Sequence, residues 1–309
     1  MRPALSVIFF TVSSGAGLGL LVWLVFLNAT GFDDGVAVDS TLLLLALGMS
    51  LTTAGLISST LHLANPKNAW RAFSQVRTSW LSREGVLAVA LYPVATLYAM
   101  LVFFGAPPWL CVLTGVVLAL LALGVLYCTG MIYACLKTIP RWNSRLVPAS
   151  YVLLGLYSGS LAGLAVLAFG GGGTPRHAAI VLAMLVAALL VKAIYYHLFR
   201  TPAVVHTIND ALPLGQKTIR LLDVGHTHGT FLTDEFYFKL ARGHALSLRV
   251  VAIAMGFVVP LLVLIAGASG VFPLVAIGLA CMLGLLAERW LFFAEAQHVV
   301  RLYHGAARV

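Results

Sequence analysis

The sequence predicts an all-α polytopic membrane protein with eight transmembrane helices, arranged as two four-helix bundles. Of its 309 residues 61% are hydrophobic and only 9% charged, against about 25% charged in soluble domains. Eight apolar runs are each long enough to cross a bilayer, and Lys and Arg collect on alternate connections between them. Strands of a membrane barrel would be half as long and would alternate in polarity.

The first run, about 5 to 27, could be taken for a secretory signal, but its apolar part is too long, its flank carries only Arg2 and seven further runs follow. It reads as a retained helix, and no twin-arginine or lipidation motif accompanies it. Gly15, Gly17 and Gly19 resemble a fragment of a dinucleotide fingerprint but have no preceding strand; Gly15 and Gly19 are expected to admit a second helix closely. The second run, about 41 to 63, ends on His62. The connection over residues 64–84 follows, and Pro66 to Leu81 reads as an amphipathic surface helix. Asn65 suits its cap, Pro66 its first position, and Ala69, Trp70, Phe73, Val76, Trp80 and Leu81 its apolar stripe. Such a helix lies in the lipid interface, where an aromatic belt with snorkelling arginines has the same composition.

The remaining runs fall at about 86 to 106, 109 to 131, 147 to 169, 178 to 198, 248 to 268 and 271 to 292. Between the sixth and seventh, residues 200–247 form the one extended polar stretch, with turn residues at Asn209-Asp210, Pro213 to Gly215 and Gly225. It is too short for an enzyme domain and suits a partner-docking loop. His226 and His228 within it lack a second ligand pair, which speaks against a metal site.

Eighteen of the nineteen Lys and Arg residues fall on one side or at helix ends facing it, and Arg176 alone lies opposite. By the positive-inside rule the basic side, both termini and the long connections are cytoplasmic. The formal net charge of +9 reports that topology and needs no nucleic acid as partner. Cys111, Cys128, Cys135 and Cys281 sit in or beside apolar runs without C-x-x-C spacing and read as small core residues, so no iron–sulfur cluster is expected in this chain.

His62 and Glu84 fall at the same membrane face, at the mouths of adjacent helices. A histidine and a carboxylate there can each exchange a proton near neutral pH, which two-proton quinone chemistry needs. Each also has a plainer reading, His62 as an interfacial residue and Glu84 as a complement to its helix dipole. Ser82 and Arg83 are further candidate donors to a quinone, and Trp80, Tyr133 and Lys137 are candidates for the same site or the interface. Lys192, Tyr195, Tyr196 and His197 close the sixth run and are accounted for by interfacial anchoring. A b-type haem needs two opposed histidines; His62 has no partner of clear depth, His197 and His298 lie near helix ends and His177 lies on the other side.

The segments RPALSVIFFTVSSGAGLGL, LHLANPKNAWRAFSQVRTSWLSREG, MIYACLKTIPRWN and KTIRLLDV together resemble the membrane-anchor subunits of the bacterial DMSO reductase family, over most of the chain. The resemblance implies an eight-helix anchor without haem that binds a molybdopterin catalytic subunit through a four-cluster iron–sulfur subunit. It also implies electron exchange with ubiquinone or menaquinone, with His62 and Glu84 at the positions of the family's quinol-site histidine and glutamate. Anchors of cytoplasm-facing sulfite dehydrogenases share these motifs and run electrons the other way. The cytoplasmic docking face and the SVIFFTVSSGAG opening incline the expectation toward sulfite oxidation with quinone reduction; a quinol-oxidising anchor of a DMSO or N-oxide reductase is the alternative.

No hydrolase elbow, P-loop or paired-carboxylate arrangement is present, so chemistry on a sulfur or nitrogen compound is assigned to another subunit. Two other classes remain open on the residues alone. A small secondary transporter would want interrupted helices near the midplane, which are not evident. A purely structural anchor would share the docking face and need no pair such as His62 and Glu84.

Overall fold

The computed structural model describes residues 4–32, 36–61, 65–199, 207–211, 219 and 240–304. Eight helices long and apolar enough to cross a membrane are present, and no strand occurs among the described residues. They are α1 (Leu5–Thr30), α2 (Val38–Thr60), α3 (Trp80–Phe103), α4 (Pro108–Ala134), α5 (Leu146–Phe169), α6 (Pro175–Leu198), α7 and α8 (Val271–Ala294). Helix α7 is composite: Leu240–Ile253, a π-helical turn Ala254–Val258, and Val259–Ile265. It starts ahead of the apolar run expected from 248, and α3 likewise starts ahead of 86. The other boundaries fall within a few residues of the expected ones.

Local chemistry accounts for the helix ends. Pro108 and Pro175 occupy first-turn positions, where the missing N–H costs nothing. Thr174 and His177 form a reciprocal capping box at the start of α6. Gly31 ends α1 in the left-handed region at φ 59°, which only glycine adopts without penalty. In α7, Pro260 has no N–H to offer the carbonyl of Gly256, and the Tyr157 hydroxyl supplies that donor at 2.8 Å.

Helix α1 is the centre of the molecule: its most apolar stretch is 72% buried, against 22% for α3. It packs on α2, α4, α5 and α8. Close approach is made possible by glycine. A Cβ on Gly19 would strike the carbonyl of Gly155, and one on Gly17 would strike Gly48 and Thr52. Gly15 has open room, with its nearest neighbour 4.0 Å away, so the close contacts fall on Gly17 and Gly19 instead of the expected Gly15 and Gly19.

One apolar cluster is drawn from α1–α4 with Leu167, and a second from α5–α8 with Val12; α1 packs directly on α5 between them. A third lies toward the end bearing the basic residues and gathers Ile8, Trp142, Tyr151, Tyr195, Phe292 and Phe293. There the turn after α4 is clasped to α8. Trp142 Nε1 donates to the Phe292 carbonyl at 3.1 Å, and Glu295 binds Arg141 at 2.7 Å and Arg249 at 2.5 Å. Cys128 and Cys281 are buried as expected of core residues, whereas Cys135 is exposed in that turn.

The amphipathic connection departs from the expected continuous surface helix. Pro66–Gln75 is a 3₁₀ helix, and Trp80 and Leu81 belong to α3. The break has a local cause: the Ser79 side chain accepts from Ser82 N at 3.3 Å and caps α3, so the helix restarts there. Asn65 makes no side-chain cap. Trp70 and Phe73 are exposed, as a segment lying in a lipid interface requires.

Candidate functional site

Glu84 sits in the second turn of α3 with 5% of its surface exposed. Its carboxylate accepts the hydroxyl proton of Thr129 on α4, a helix that packs along the length of α3. Tyr133 lies one turn beyond Thr129 on the same face of α4. Its ring is boxed by four others: Trp142 at 5.2 Å, Tyr151 stacked at 5.7 Å, Phe292 at 5.6 Å and Phe293 at 5.3 Å. Glu84 is therefore the outer member of a buried polar and aromatic layer that runs inward toward α5 and α8.

Ser82 and Arg83, expected beside Glu84, turn the other way. The Ser82 hydroxyl donates to the Ala72 carbonyl and accepts from Gln75 N at 3.1 Å. Arg83 donates from Nε to the Val76 carbonyl at 2.9 Å and from Nη2 to the Arg77 carbonyl at 2.7 Å, while its guanidinium lies 4.2 Å from the Trp80 ring centre. Together they fold the 66–75 segment onto the start of α3, with the Phe73 ring over Gly85. Trp80 stands edge-on to Tyr127 of α4, with ring centres 5.8 Å apart. This contact joins the start of α3 to α4.

Lys137 is exposed in the turn after α4 and is not brought to Glu84. His62 lies outside the described residues, as do His226, His228 and most of the 200–247 stretch. His177 is bound up in the capping box at the opposite end. No group of three or more His, Cys, Asp or Glu side chains suited to a metal ion occurs among the described residues.

Sequence reasoning missed the most buried charges among the described residues. Lys192 on α6 and Glu288 and Arg289 on α8 are 4%, 1% and 3% exposed. Lys192 Nζ pairs with Glu288 Oε1, and Arg289 Nε lies 3.2 Å from Glu288 Oε2. Interfacial anchoring does not describe Lys192: it is inside the protein, with the rings of Tyr195 and Tyr196 4.5 and 4.8 Å away. The signal was present, since an adjacent Glu-Arg pair interrupts the last apolar run. Its meaning depended on the opposing helix.

A buried carboxyl one or two turns inside a span, held by one hydroxyl, can exchange a single proton with a carbonyl-bearing ligand. Such an acid suits the carbonyl oxygen of a quinone.

Comparison with known proteins places the sequence in a family. The C subunit of the sulfite dehydrogenase of Allochromatium vinosum is 32% identical over 336 aligned positions, covering 98% of this chain and 99% of that protein. The C component of the anaerobic dimethyl sulfoxide reductase of Haemophilus influenzae is 26% identical over 171 positions, covering 53% of this chain and 58% of that one. The sequence pattern of the DMSO reductase anchor subunit (DmsC) family matches residues 1–294. With eight apolar helices and a family match across nearly its whole length, the chain is an integral membrane protein that belongs to the DMSO reductase anchor subunit (DmsC) family.

Proposed function

We propose that this chain is the quinone-reactive anchor of a molybdopterin and iron–sulfur oxidoreductase, passing electrons between a four-cluster iron–sulfur subunit and the quinone pool. The observation that carries the reading is Glu84, a carboxylate buried at the basic end of α3 and held by Thr129, in a member of the anchor family. A bound quinone supplies two-electron, two-proton chemistry. The protein's own residues would do the rest. Glu84 holds and hands over a proton, Thr129 fixes its carboxylate, and His62 serves the second carbonyl oxygen. Trp80 and Tyr127 keep water and lipid from the entrance, while Ser82 and Arg83 hold the connection that closes it.

The electron direction we propose is from sulfite oxidation to quinone. Supporting it, the sulfite dehydrogenase relative aligns over 98% of this protein and the reductase relative over 53%. An anchor that oxidises quinol for a DMSO or N-oxide reductase is the second reading. The basic end would face the cytoplasm of a bacterial inner membrane, with both termini, the partner platform and proton uptake there. Turnover would then carry no net charge across the bilayer.

The test is the purified three-subunit complex with Glu84→Gln and, separately, His62→Gln. Both variants should lose quinone-coupled sulfite oxidation and keep dye-linked sulfite oxidation. Quinone-coupled activity at the wild-type level in both would sink the assignment. Complex inactive with sulfite but active with DMSO or an N-oxide would favour the second reading. Labelling from outside intact cells at His226→Cys would overturn the sidedness.

A further inference from the structure

Lys192, Glu288 and Arg289 present an imbalance. Two cations and one carboxylate are enclosed together, each more than nine-tenths buried. Burying an unpaired charge costs several kcal/mol unless something compensates it. Part of the compensation is aromatic: the Arg289 guanidinium lies 3.9 Å from the Tyr151 ring centre, and Lys192 Nζ lies over Tyr195 and Tyr196. Glu295, the other acid at this end, is already shared between Arg141 and Arg249 nearer the surface. One positive charge is left over.

A further acid, Glu84, lies at a similar depth from the basic end. Glu84, Thr129, Tyr151, Lys192 and Glu288 each sit one to two turns inside the basic end of their helix, roughly 6 to 9 Å deep at the helical rise. From Glu84 the layer passes through Thr129 to Tyr133 on one face of α4, then to Tyr151 stacked on Tyr133, then to Arg289 over Tyr151. The path is enclosed by packed aromatic rings, and charges in such an interior interact over longer distances than in water.

We propose that the Lys192–Glu288–Arg289 cluster is the built-in counter-charge of Glu84: its excess positive charge, fixed between α6 and α8, sets the pH at which Glu84 takes up and releases its proton. Lys192 and Arg289 are positioning residues, since neither touches the site. The charged and titratable groups around Lys192 and Arg289 are Glu288, Tyr133 of α4, Tyr151 of α5, Tyr195 and Tyr196 of α6 and Glu295 after α8, the last bound to Arg141 and Arg249; those around Glu84 are Arg83 beside it on α3 and Cys128 and Tyr133 of α4. The α1 face packed on α8 has no titratable residue in its spanning part. The inference rests on the reading of Glu84 as the quinone-site acid.

The experiment uses the purified complex and a fluorescent hydroxyquinoline N-oxide as quinone analogue, with binding measured from pH 5 to 9. Lys192→Met removes the excess charge and leaves the neutral Glu288–Arg289 pair. The midpoint of the pH dependence should move to higher pH by on the order of one unit, because proton uptake then faces less positive charge. Lys192→Arg keeps the charge and should keep the wild-type midpoint. Arg289→Met removes one cation from the other helix and should move the midpoint in the same direction, so the test survives failure of one variant to assemble. In Glu84→Gln the midpoint that belongs to Glu84 should disappear, leaving only a step that belongs to His62. If it disappears while Lys192→Met and Arg289→Met leave the wild-type midpoint unmoved, the counter-charge is wrong and the quinone site stands. If the wild-type midpoint persists in Glu84→Gln, the quinone-site reading of Glu84 fails and the inference fails with it.

Discussion

Across the α3–α4 interface the Thr129 hydroxyl donates to the Glu84 carboxylate, and it is the one side-chain hydrogen bond the structure gives to that acid among the described residues. The same hydroxyl lies 2.9 Å from the Val125 carbonyl, so its position is set by its own helix. Thr129→Val keeps the shape and removes the donor. Leaving a buried acid without its partner costs about 1 to 3 kcal/mol. Quinone-coupled turnover should fall at least tenfold while dye-linked activity is kept, and Thr129→Ser should restore most of it. Equal turnover in the valine and serine variants would show that the bond does not matter.

Gly15 and Gly19 make a paired test of how α1 is packed. Gly19→Ala drives a methyl into the Gly155 carbonyl and should destabilise the fold by on the order of 3 kcal/mol. Gly15→Ala has room and should be near neutral. Thermal unfolding in detergent, followed by size-exclusion recovery, reads both. Similar midpoints for the two variants would contradict the packing described.

Ser82 ties the 66–75 segment to α3 through Ala72 and Gln75. Its replacement by alanine should cost about 1 to 2 kcal/mol locally and raise hydrogen exchange at the Gln75 amide at least several-fold, with the Thr129 region unchanged. Unaltered exchange at Gln75 would mean that the serine does not hold the segment.

His298 follows α8 outside the spanning region, and its Nδ1 accepts the Val300 N–H at 3.0 Å. Burial holds the imidazole below its ordinary value of 6.5. The folded state thus favours the neutral ring, so this contribution is fully present above the unfolded value and is lost as pH falls through the folded one. Protection of the 299–304 amides against exchange should therefore drop as pH is lowered from 7 to 5. In His298→Asn, which can still accept but does not titrate in this range, the dependence should flatten. Protection that is constant with pH in the wild-type protein would refute the coupling.

Much of the architecture was legible in the residues. Eight spans could be counted because a sequence with 9% charge leaves its few polar residues at the connections, and backbone polarity inside a bilayer then admits only helices of that length. Glu84 could be singled out because a carboxylate beside an apolar run is rare. The break at Ser79 was less legible: an apolar stripe continues through it, and only the serine's bond to Ser82 shows where one helix stops and the next begins. The roles of Ser82 and Arg83 depended on the same fold-back, since a donor's target is not written in its own helix.

By itself the sequence determined the spans and the side on which the basic residues collect, because hydropathy and charge act on each segment separately. Only the tertiary structure decided which helix lies at the centre and how charge is balanced. Gly19 is a close contact because Gly155 is opposite it, and Lys192 is buried because Glu288 meets it from α8. Pairings between helices far apart in the chain arise from packing, and a buried charge is tolerable only once its partner is in place.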